Sequence, residues 1–307
     1  MSAPTGTVGL RTRVRSRAQD LTRIEPLVAA ETATEVFVPQ PRHGEGTLVA
    51  RTVKALRWPL GIYTTPVVLL ILWQVTSTIG LLPEKVAPAP TAILDAGIEL
   101  WTIGELGPDI GISLQRAAIG LALGLAVGIV SGVLAGLLRT GEYVFNGVVQ
   151  ILNTIPLLAI LPLMIVWFGI DELTKVLLIA FGASIPMYLN LFAAIRGVDQ
   201  RLIEMARAAG AGRWRLVTRV LLPGALPGFL VGIRFALAYS VLGLVAAETI
   251  NADVGIGYLI NRAQTYLRYD QVYLGLVIYA LLGLFADQIV RTLERLLLTW
   301  RPSYEAS

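Results

Sequence analysis

Six apolar runs dominate the chain after residue 56, and each is long enough to form a membrane helix. They lie near Leu60–Ile79, Leu114–Leu137, Phe145–Phe168, Leu173–Ile195, Gly224–Glu248 and Tyr273–Leu297. An α-helix needs about 20 residues to cross the hydrocarbon core of a bilayer, and all six runs meet that requirement. The sequence therefore predicts an all-α, polytopic membrane domain over residues 57–307, with six transmembrane helices.

The composition excludes several classes of function. Hydrophobic residues make up 55% of the 307 residues and charged residues only 15%, which is too apolar for an ordinary soluble domain. There is no cysteine, and the single histidine, His43, lies outside every apolar run. Without these groups, and with no clustered carboxylates in the runs, an intramembrane enzyme would have neither a nucleophile nor metal ligands. We therefore predict no catalytic site and no metal site.

The distribution of positive charge predicts the orientation. If the N-terminus is cytoplasmic, the inner segments contain 19 of the 25 Lys and Arg residues and the outer segments only 5. Cytoplasmic loops accumulate Lys and Arg, so we expect both termini in the cytoplasm. Because the basic residues follow this topology, their number does not indicate nucleic acid as a partner. Residues 1–56 are polar, lack the apolar segment of a signal peptide, and are predicted to be a disordered cytoplasmic tail.

Glycine recurs every fourth residue in the second run, at Gly120, Gly124, Gly128 and Gly132. Residues four apart share one helix face, and a face of small residues lets another helix approach closely. We predict tight helix packing there rather than lipid contact. On the outer side, residues 91–101 are expected to form a surface helix and residues 249–271 a long loop, which together offer a surface to an extracytoplasmic partner.

The polar segment over residues 196–223 contains six arginines and only two acidic residues, so it is predicted to be cytoplasmic. Asp199 is a suitable N-cap for a short helix over Leu202–Ala209, and Gly210 can end that helix. One spaced pattern runs through the segment. It reads Glu204-Met205-Ala206, three residues, Gly210, nine residues, Val220, one residue, Leu222-Pro223.

This pattern resembles the signature of membrane subunits in bacterial ABC importers, the binding-protein-dependent transport inner-membrane component family. There it reads E-A-A, three residues, G, nine residues, I, one residue, L-P, so Met205 and Val220 are the departures. The resemblance implies the six-helix fold of type I importer permeases and a coupling helix that docks on an ATP-hydrolysing subunit. The residues carried over to that contact are Glu204, Met205, Ala206, Gly210 and Pro223.

The same resemblance implies a transporter of several chains: two copies of this subunit, two ATP-binding subunits and an extracytoplasmic substrate-binding protein. The sequence supports a separate ATP-hydrolysing subunit, because none of the three lysines in this chain follows a glycine in a phosphate-binding loop. We therefore expect no cofactor in this chain, with ATP and Mg²⁺ bound by the partner ATPase.

Further motifs resemble one branch of these permeases, which imports aliphatic sulfonates, taurine, nitrate or bicarbonate. They are Leu81-Leu82-Pro83, Ile155-Pro156-Leu157-Leu158-Ala159, Trp167-Phe168-Gly169, Leu244-Val245-Ala246-Ala247-Glu248 and Gly255-Ile256-Gly257-Tyr258. We expect an aliphatic sulfonate or taurine as substrate, with nitrate or bicarbonate as the alternative. An ATP-independent carrier is a further alternative, but it would leave the coupling signature unexplained.

Three charged residues are candidates for the substrate pathway. Arg234 lies within the fifth run, where a charge is costly and usually functional; it would either attract an anion or form a structural ion pair with Asp287. Asp287 can instead pair with Arg291 one turn further on. Arg116 would collect an anion near the outer surface or extend to lipid head groups. Glu248 would gate the outer mouth or anchor the outer loop that follows it.

Overall fold

The computed structural model describes residues 64–298, and every element in this range is helical. In chain order the helices are α1 Thr64–Thr78, α2 Pro90–Ile103, α3 Leu106–Leu137, α4 Arg139–Thr154, α5 Leu157–Phe168, α6 Glu172–Arg196, α7 Gln200–Ala208, α8 Arg213–Leu216, α9 Leu222–Asn251, α10 Ile256–Thr265 and α11 Tyr269–Leu297. A π-helical turn, Val217–Leu221, joins α8 to α9. The predicted tail over residues 1–56 lies outside the described range.

The described helices confirm an all-α membrane protein. Within residues 64–298, four segments are each long and apolar enough to cross a membrane. They are α3, α6, α11 and the continuous segment Arg213–Ile250, which includes nearly all of α9. Helix α1 is a shorter apolar helix of 15 residues, and the start of the predicted first run falls outside the described range. The remaining candidate span is the pair α4 and α5.

The third predicted run is not one straight helix, because α4 and α5 meet at an angle of 106°. The break falls at Ile155 and Pro156, both in extended conformations. Proline has no N–H to continue a helix, and it disfavours the helical conformation of the residue before it. The predicted third run, Phe145–Phe168, is therefore a pair of helices broken at Pro156 rather than one continuous helix.

Helix α6 lies at the centre of the fold, with α3 on one side and α9 on the other. The glycine face of α3 makes the first contact: a Cβ added at Gly124 would lie 2.5 Å from the carbonyl oxygen of Ala180. One added at Gly128 would lie 2.7 Å from Cβ of Met187. The predicted close packing is confirmed, and it extends one turn further, to Gly136.

The outer segments are more ordered than the sequence predicted. The expected surface helix over residues 91–101 is α2, whose buried face includes Ile93 and Leu100 and packs against α10 and α11. Its opposite face, with Leu94 and Trp101, is exposed. The segment 249–271, expected to be a loop, contains the helix α10, because its apolar residues are buried against α3, α9 and α11.

Candidate functional site

The signature segment forms a short exposed helix, α7, at residues 200–208. The Asp199 carboxylate caps it by accepting a hydrogen bond of 2.9 Å from the backbone N–H of Arg201, which confirms the predicted N-cap. Glu204 and Met205 are exposed on the helix, and the Met205 side chain is 62% exposed. An apolar side chain so exposed on a short helix between two spans is a suitable contact for another subunit.

Gly210 ends α7 in the left-handed conformation, with φ of +75°. Its N–H donates to the carbonyl of Arg207 at 2.9 Å, and the N–H of Ala211 donates to the carbonyl of Ala206 at 3.0 Å. This pair of bonds is the Schellman motif, in which the residue after the helix adopts positive φ and is usually glycine. The signature glycine is therefore required by backbone conformation, since a side chain there is strained.

The two ends of the signature come together in space. Met205 and Ala206 on α7 line one side of an open groove of about 410 Å³, and Val220 and Pro223 line the other. Proline at position 223 cannot donate a hydrogen bond and crowds the carbonyl four residues earlier, and the wide π-helical turn lies immediately before it. The groove thus places α7 beside the start of α9.

A second polar cluster surrounds Glu248, at the opposite end of α9 from the signature segment. The Glu248 side chain is 0% exposed, near the end of α9. Its carboxylate accepts hydrogen bonds from the hydroxyls of Ser113 at 2.7 Å and Tyr279 at 3.0 Å. It also accepts from Nη1 of Arg116 at 2.8 Å and from the N–H of Gly257 at 3.0 Å. One carboxylate therefore connects α3, α9, α10 and α11.

Arg116 is buried, with a side chain only 4% exposed, so the prediction that it reaches lipid head groups was wrong. Its Nε and Nη2 donate to the carboxylate of Glu172, each at 2.6 Å. Its Nη1 donates to Glu248 and to the carbonyl of Val254. Four of its five N–H groups are thus bonded to this chain, which favours a structural role. Substrate contact by Arg116 stays a prediction.

The cluster holds the start of α10 in place. The N–H of Gly255 donates to Asp109 at 2.8 Å, and the N–H of Ile256 donates to Ser113 at 2.9 Å. Gly255 has φ of +131°, and a Cβ on it would lie 2.6 Å from Oε1 of Glu248. Of the two roles considered for Glu248, the geometry supports anchoring of the outer segment.

Two further arginines, Arg262 and Arg268, form ion pairs that connect the helices next to the Glu248 cluster. The hydrogen bond to the Glu105 carboxylate raises the pKa of Arg262, with Nη2 and Oε2 at 2.5 Å. Hydrogen bonds to Asp270 and then Glu99 raise the pKa of Arg268. Both guanidinium groups therefore stay charged and tie α10 and the start of α11 to α2 and α3.

Arg234 forms ion pairs with α11: its Nε lies 3.3 Å from Asp287 and its Nη2 lies 3.1 Å from Glu294. Asp287 also pairs with Arg291 at 2.6 Å, so both partners considered for Asp287 are present. The side chain of Arg234 is 39% exposed and borders a groove of about 410 Å³ between α9 and α11. Its contact with substrate stays a prediction, and the ion pairs account for its position.

Sequence reasoning missed three members of the Glu248 cluster: Asp109, Glu172 and Tyr279. Asp109 precedes the second predicted run and Glu172 precedes the fourth, so neither position indicates a buried partner. The sequence has one local feature that indicates an ion pair at Glu172, a lysine three residues further on. Nζ of Lys175 lies 2.7 Å from Oε1 of Glu172. Within residues 64–298, no group of three or more His, Cys, Asp or Glu side chains is arranged to hold a metal ion.

A cavity of about 180 Å³ lies at the break between α4 and α5. Asn153 and Pro156 from the break line it, together with Gly182 of α6 and Tyr239 of α9. Pro156 and Tyr239 also border a neighbouring groove of about 400 Å³, which continues along α9 to Ile250. The structure thus brings polar groups of the broken pair together with the middle of α6 and α9.

Comparison with known proteins gives the family. A family model described as "Binding-protein-dependent transport system inner membrane component" matches residues 124–299. The chain is 45% identical to the putative aliphatic sulfonates transport permease protein SsuC of Escherichia coli (strain K12), over 81% of this chain and 95% of that one. It is 37% identical to the riboflavin transport system permease protein RibX of Chloroflexus aurantiacus, over 82% and 95%. It is 33% identical to the taurine transport system permease protein TauC of Escherichia coli (strain K12), over 80% and 92%.

The fold is also found among solved structures. An inward-facing structure of the MetNI methionine ABC transporter matches with a TM-score of 0.51, covering 62% of this chain and 97% of that chain at 23% identity. The relatives are permease subunits, which move a substrate rather than transform it, and ATP is hydrolysed by a separate chain. The family model covers more than half of the chain, so the protein belongs to the binding-protein-dependent transport system inner membrane component family of ABC transporter permeases.

Proposed function

We propose that this permease carries aliphatic sulfonates inward across the cytoplasmic membrane. The observation that supports this substrate is the 45% identity to a relative named for aliphatic sulfonates, over 95% of that relative's length. The relative named for taurine is less similar, at 33%. We therefore place simple alkanesulfonates ahead of taurine, and nitrate or bicarbonate behind both.

A second candidate substrate is riboflavin, because the relative named for riboflavin transport is 37% identical over 82% of this chain. Riboflavin is a large, mostly uncharged aromatic molecule, whereas a sulfonate is a small anion. The two substrates therefore separate cleanly in a growth or uptake experiment.

As a family member, the chain works with a substrate-binding protein and an ATP-hydrolysing subunit in the inner membrane. We infer two copies of this chain and two ATPase subunits, with both termini of this chain on the cytoplasmic side. The ATPases bind ATP and Mg²⁺, and this chain binds no cofactor. ATP binding draws the ATPases together, and α7, which lies between α6 and α9 in the chain, passes the movement to both helices.

Growth on defined sulfur sources tests the substrate. A strain lacking this chain is supplied with sulfate, taurine or a longer alkanesulfonate as its only sulfur source. We expect normal growth on sulfate and loss of growth on the alkanesulfonate, restored by the gene. Normal growth on all three, together with lost uptake of riboflavin, nitrate or bicarbonate, would replace the sulfonate proposal by that substrate.

Cross-linking tests the contact with the ATPase. The chain contains no cysteine, so Glu204→Cys introduces a single reactive thiol on the exposed face of α7. We expect a short bifunctional reagent to join it to the ATPase subunit in membranes. Glu105→Cys, which places a thiol at the start of α3 near the outer end, is the matched control and should give no such product. Equal cross-linking of both variants would contradict the assigned role of α7.

A further inference from the structure

The break between α4 and α5 lies beside the middle of α6, a helix long and apolar enough to cross a membrane. Gly182 and Ile185, which face the break, flank the central residue of α6. Irregular backbone at this depth is tolerated only where it is covered by protein or lines a water-filled cavity.

Two side chains at the break present hydrogen-bonding groups that the described residues do not use. Asn153 is exposed and Tyr239 is 43% exposed, and neither side chain forms a hydrogen bond within residues 64–298. Both line the cavity of about 180 Å³. A polar group inside a membrane protein normally faces a partner or an aqueous path. The amide and the phenol are both neutral donors suited to the oxygens of an anion.

The neighbouring groove of about 400 Å³ is mainly apolar, whereas the cavity at the break contains polar side chains. From Tyr239 it follows α9 for about 16 Å, past Leu242 and Val245, and ends at Ile250 near the outer end of the helix. Thr249, its one other hydroxyl, is bonded to the carbonyl of Val245 at 2.6 Å. No charged residue lines either cavity. The combined site is therefore polar at its inner end, apolar along its length and without a carboxylate.

We propose that this two-part groove binds an alkanesulfonate in transit, with the sulfonate at Asn153 and Tyr239 and the alkyl chain along Leu242 and Val245. The proposal rests on the proposed function and adds the binding residues and a preference. Taurine would place its ammonium group on the apolar wall with no carboxylate to receive it, which is unfavourable. Longer alkyl chains gain affinity, by up to about fourfold for each methylene that the wall covers.

Transport by the complete transporter in proteoliposomes, at saturating binding protein, tests the groove. Leu242→Trp narrows the apolar wall, and we expect it to raise the KM for octanesulfonate at least tenfold more than the KM for methanesulfonate. Leu284→Trp is the matched control on the exposed face of α11, where leucine is 66% exposed and lines neither cavity. Equal effects of Leu242→Trp on both chain lengths would overturn the assignment of the wall.

The polar end is tested by Tyr239→Phe, which removes only the hydroxyl. We expect a five- to tenfold lower transport rate for both sulfonates, with stimulation of the ATPase by the binding protein retained. Tyr266→Phe, at the residue that follows α10, should be unchanged, because Tyr266 is 74% exposed and lies outside the groove. A Tyr239→Phe transporter with wild-type rates would overturn the placement of the sulfonate.

A binding readout separates this proposal from the proposed function. Because the chain has no cysteine, Leu242→Cys can be labelled with a methanethiosulfonate reagent and the label measured by mass spectrometry of this chain. We expect octanesulfonate to slow the labelling and methanesulfonate to leave it unchanged. Sulfonate transport without this protection would overturn the groove and keep the function. A disulfide between two copies at position 242, with no labelling, would show instead that the wall is an interface between copies.

Discussion

Replacing Glu248 by alanine should destabilise the protein far more than its single charge suggests. The carboxylate accepts hydrogen bonds from Ser113, Arg116, Gly257 and Tyr279 and is fully buried. Side-chain hydrogen bonds inside membrane proteins contribute about 0.6 kcal/mol each, so four of them contribute about 2 kcal/mol.

The charge left on Arg116 adds to this cost, although Glu172 still neutralises part of it. We therefore expect Glu248→Ala to lower the free energy of unfolding by about 3 kcal/mol, the lower end of the range for breaking a buried ion pair. Because Arg116 and Glu248 share one interaction, Arg116→Met combined with Glu248→Ala should cost less than the sum of the two single variants.

Reversible unfolding of the purified chain in mixed micelles, titrated with a denaturing detergent, measures the effect. The control is Glu99→Ala, which removes an exposed ion pair with Arg268, where both side chains are more than 40% exposed. Such a pair contributes about 1 kcal/mol or less. If the two variants lose the same stability, the Glu248 cluster does not anchor the outer segment.

Three further substitutions have defined outcomes. Gly124→Val should separate α3 from α6 and sharply reduce the yield of folded protein, because the added Cβ would lie 2.5 Å from a carbonyl oxygen. The control Gly111→Val should leave the yield unchanged, because a Cβ at Gly111 has no atom within 4 Å. Gly210→Val should strain the end of α7 by about 1–3 kcal/mol and uncouple ATPase activity from the binding protein; coupled transport at the wild-type rate would contradict this. Arg234→Gln should leave the KM for substrate unchanged, because the ion pairs with Asp287 and Glu294 account for the position of Arg234; a raised KM with normal assembly would instead support its contact with substrate.

The local structure of the signature segment was predictable because it depends on neighbouring residues. The Asp199 cap, the short helix and the positive φ of Gly210 depend on neighbouring residues along the chain, and the spaced signature needs no tertiary contact to be seen. The glycine face of α3 was predictable for a similar reason, since a period of four residues places small side chains on one helix face. The sequence did not say that this face meets α6.

The outer cluster was not predictable in the same way. Ser113 and Arg116 on α3 meet Glu172 and Glu248, and Glu248 meets Tyr279, only because α3, α6, α9 and α11 are packed side by side. Charged residues near the ends of spans ordinarily extend toward water and head groups, and on that basis Arg116 was misplaced. Helix packing brings hydrogen-bonding partners of opposite charge to Arg116, and these partners make its burial favourable.

By itself, the sequence determined the membrane class, the helical architecture and the local structure of the signature segment. These follow from the hydrophobic effect, from the requirement that backbone groups bond within a helix in lipid, and from local backbone conformation. Only the tertiary structure decided that Glu248 bonds with Arg116, and that Asn153 and Tyr239 line one cavity at the break in the third run. Contacts between residues far apart in the chain depend on how whole helices pack, and spacing along one helix carries no information about its neighbour.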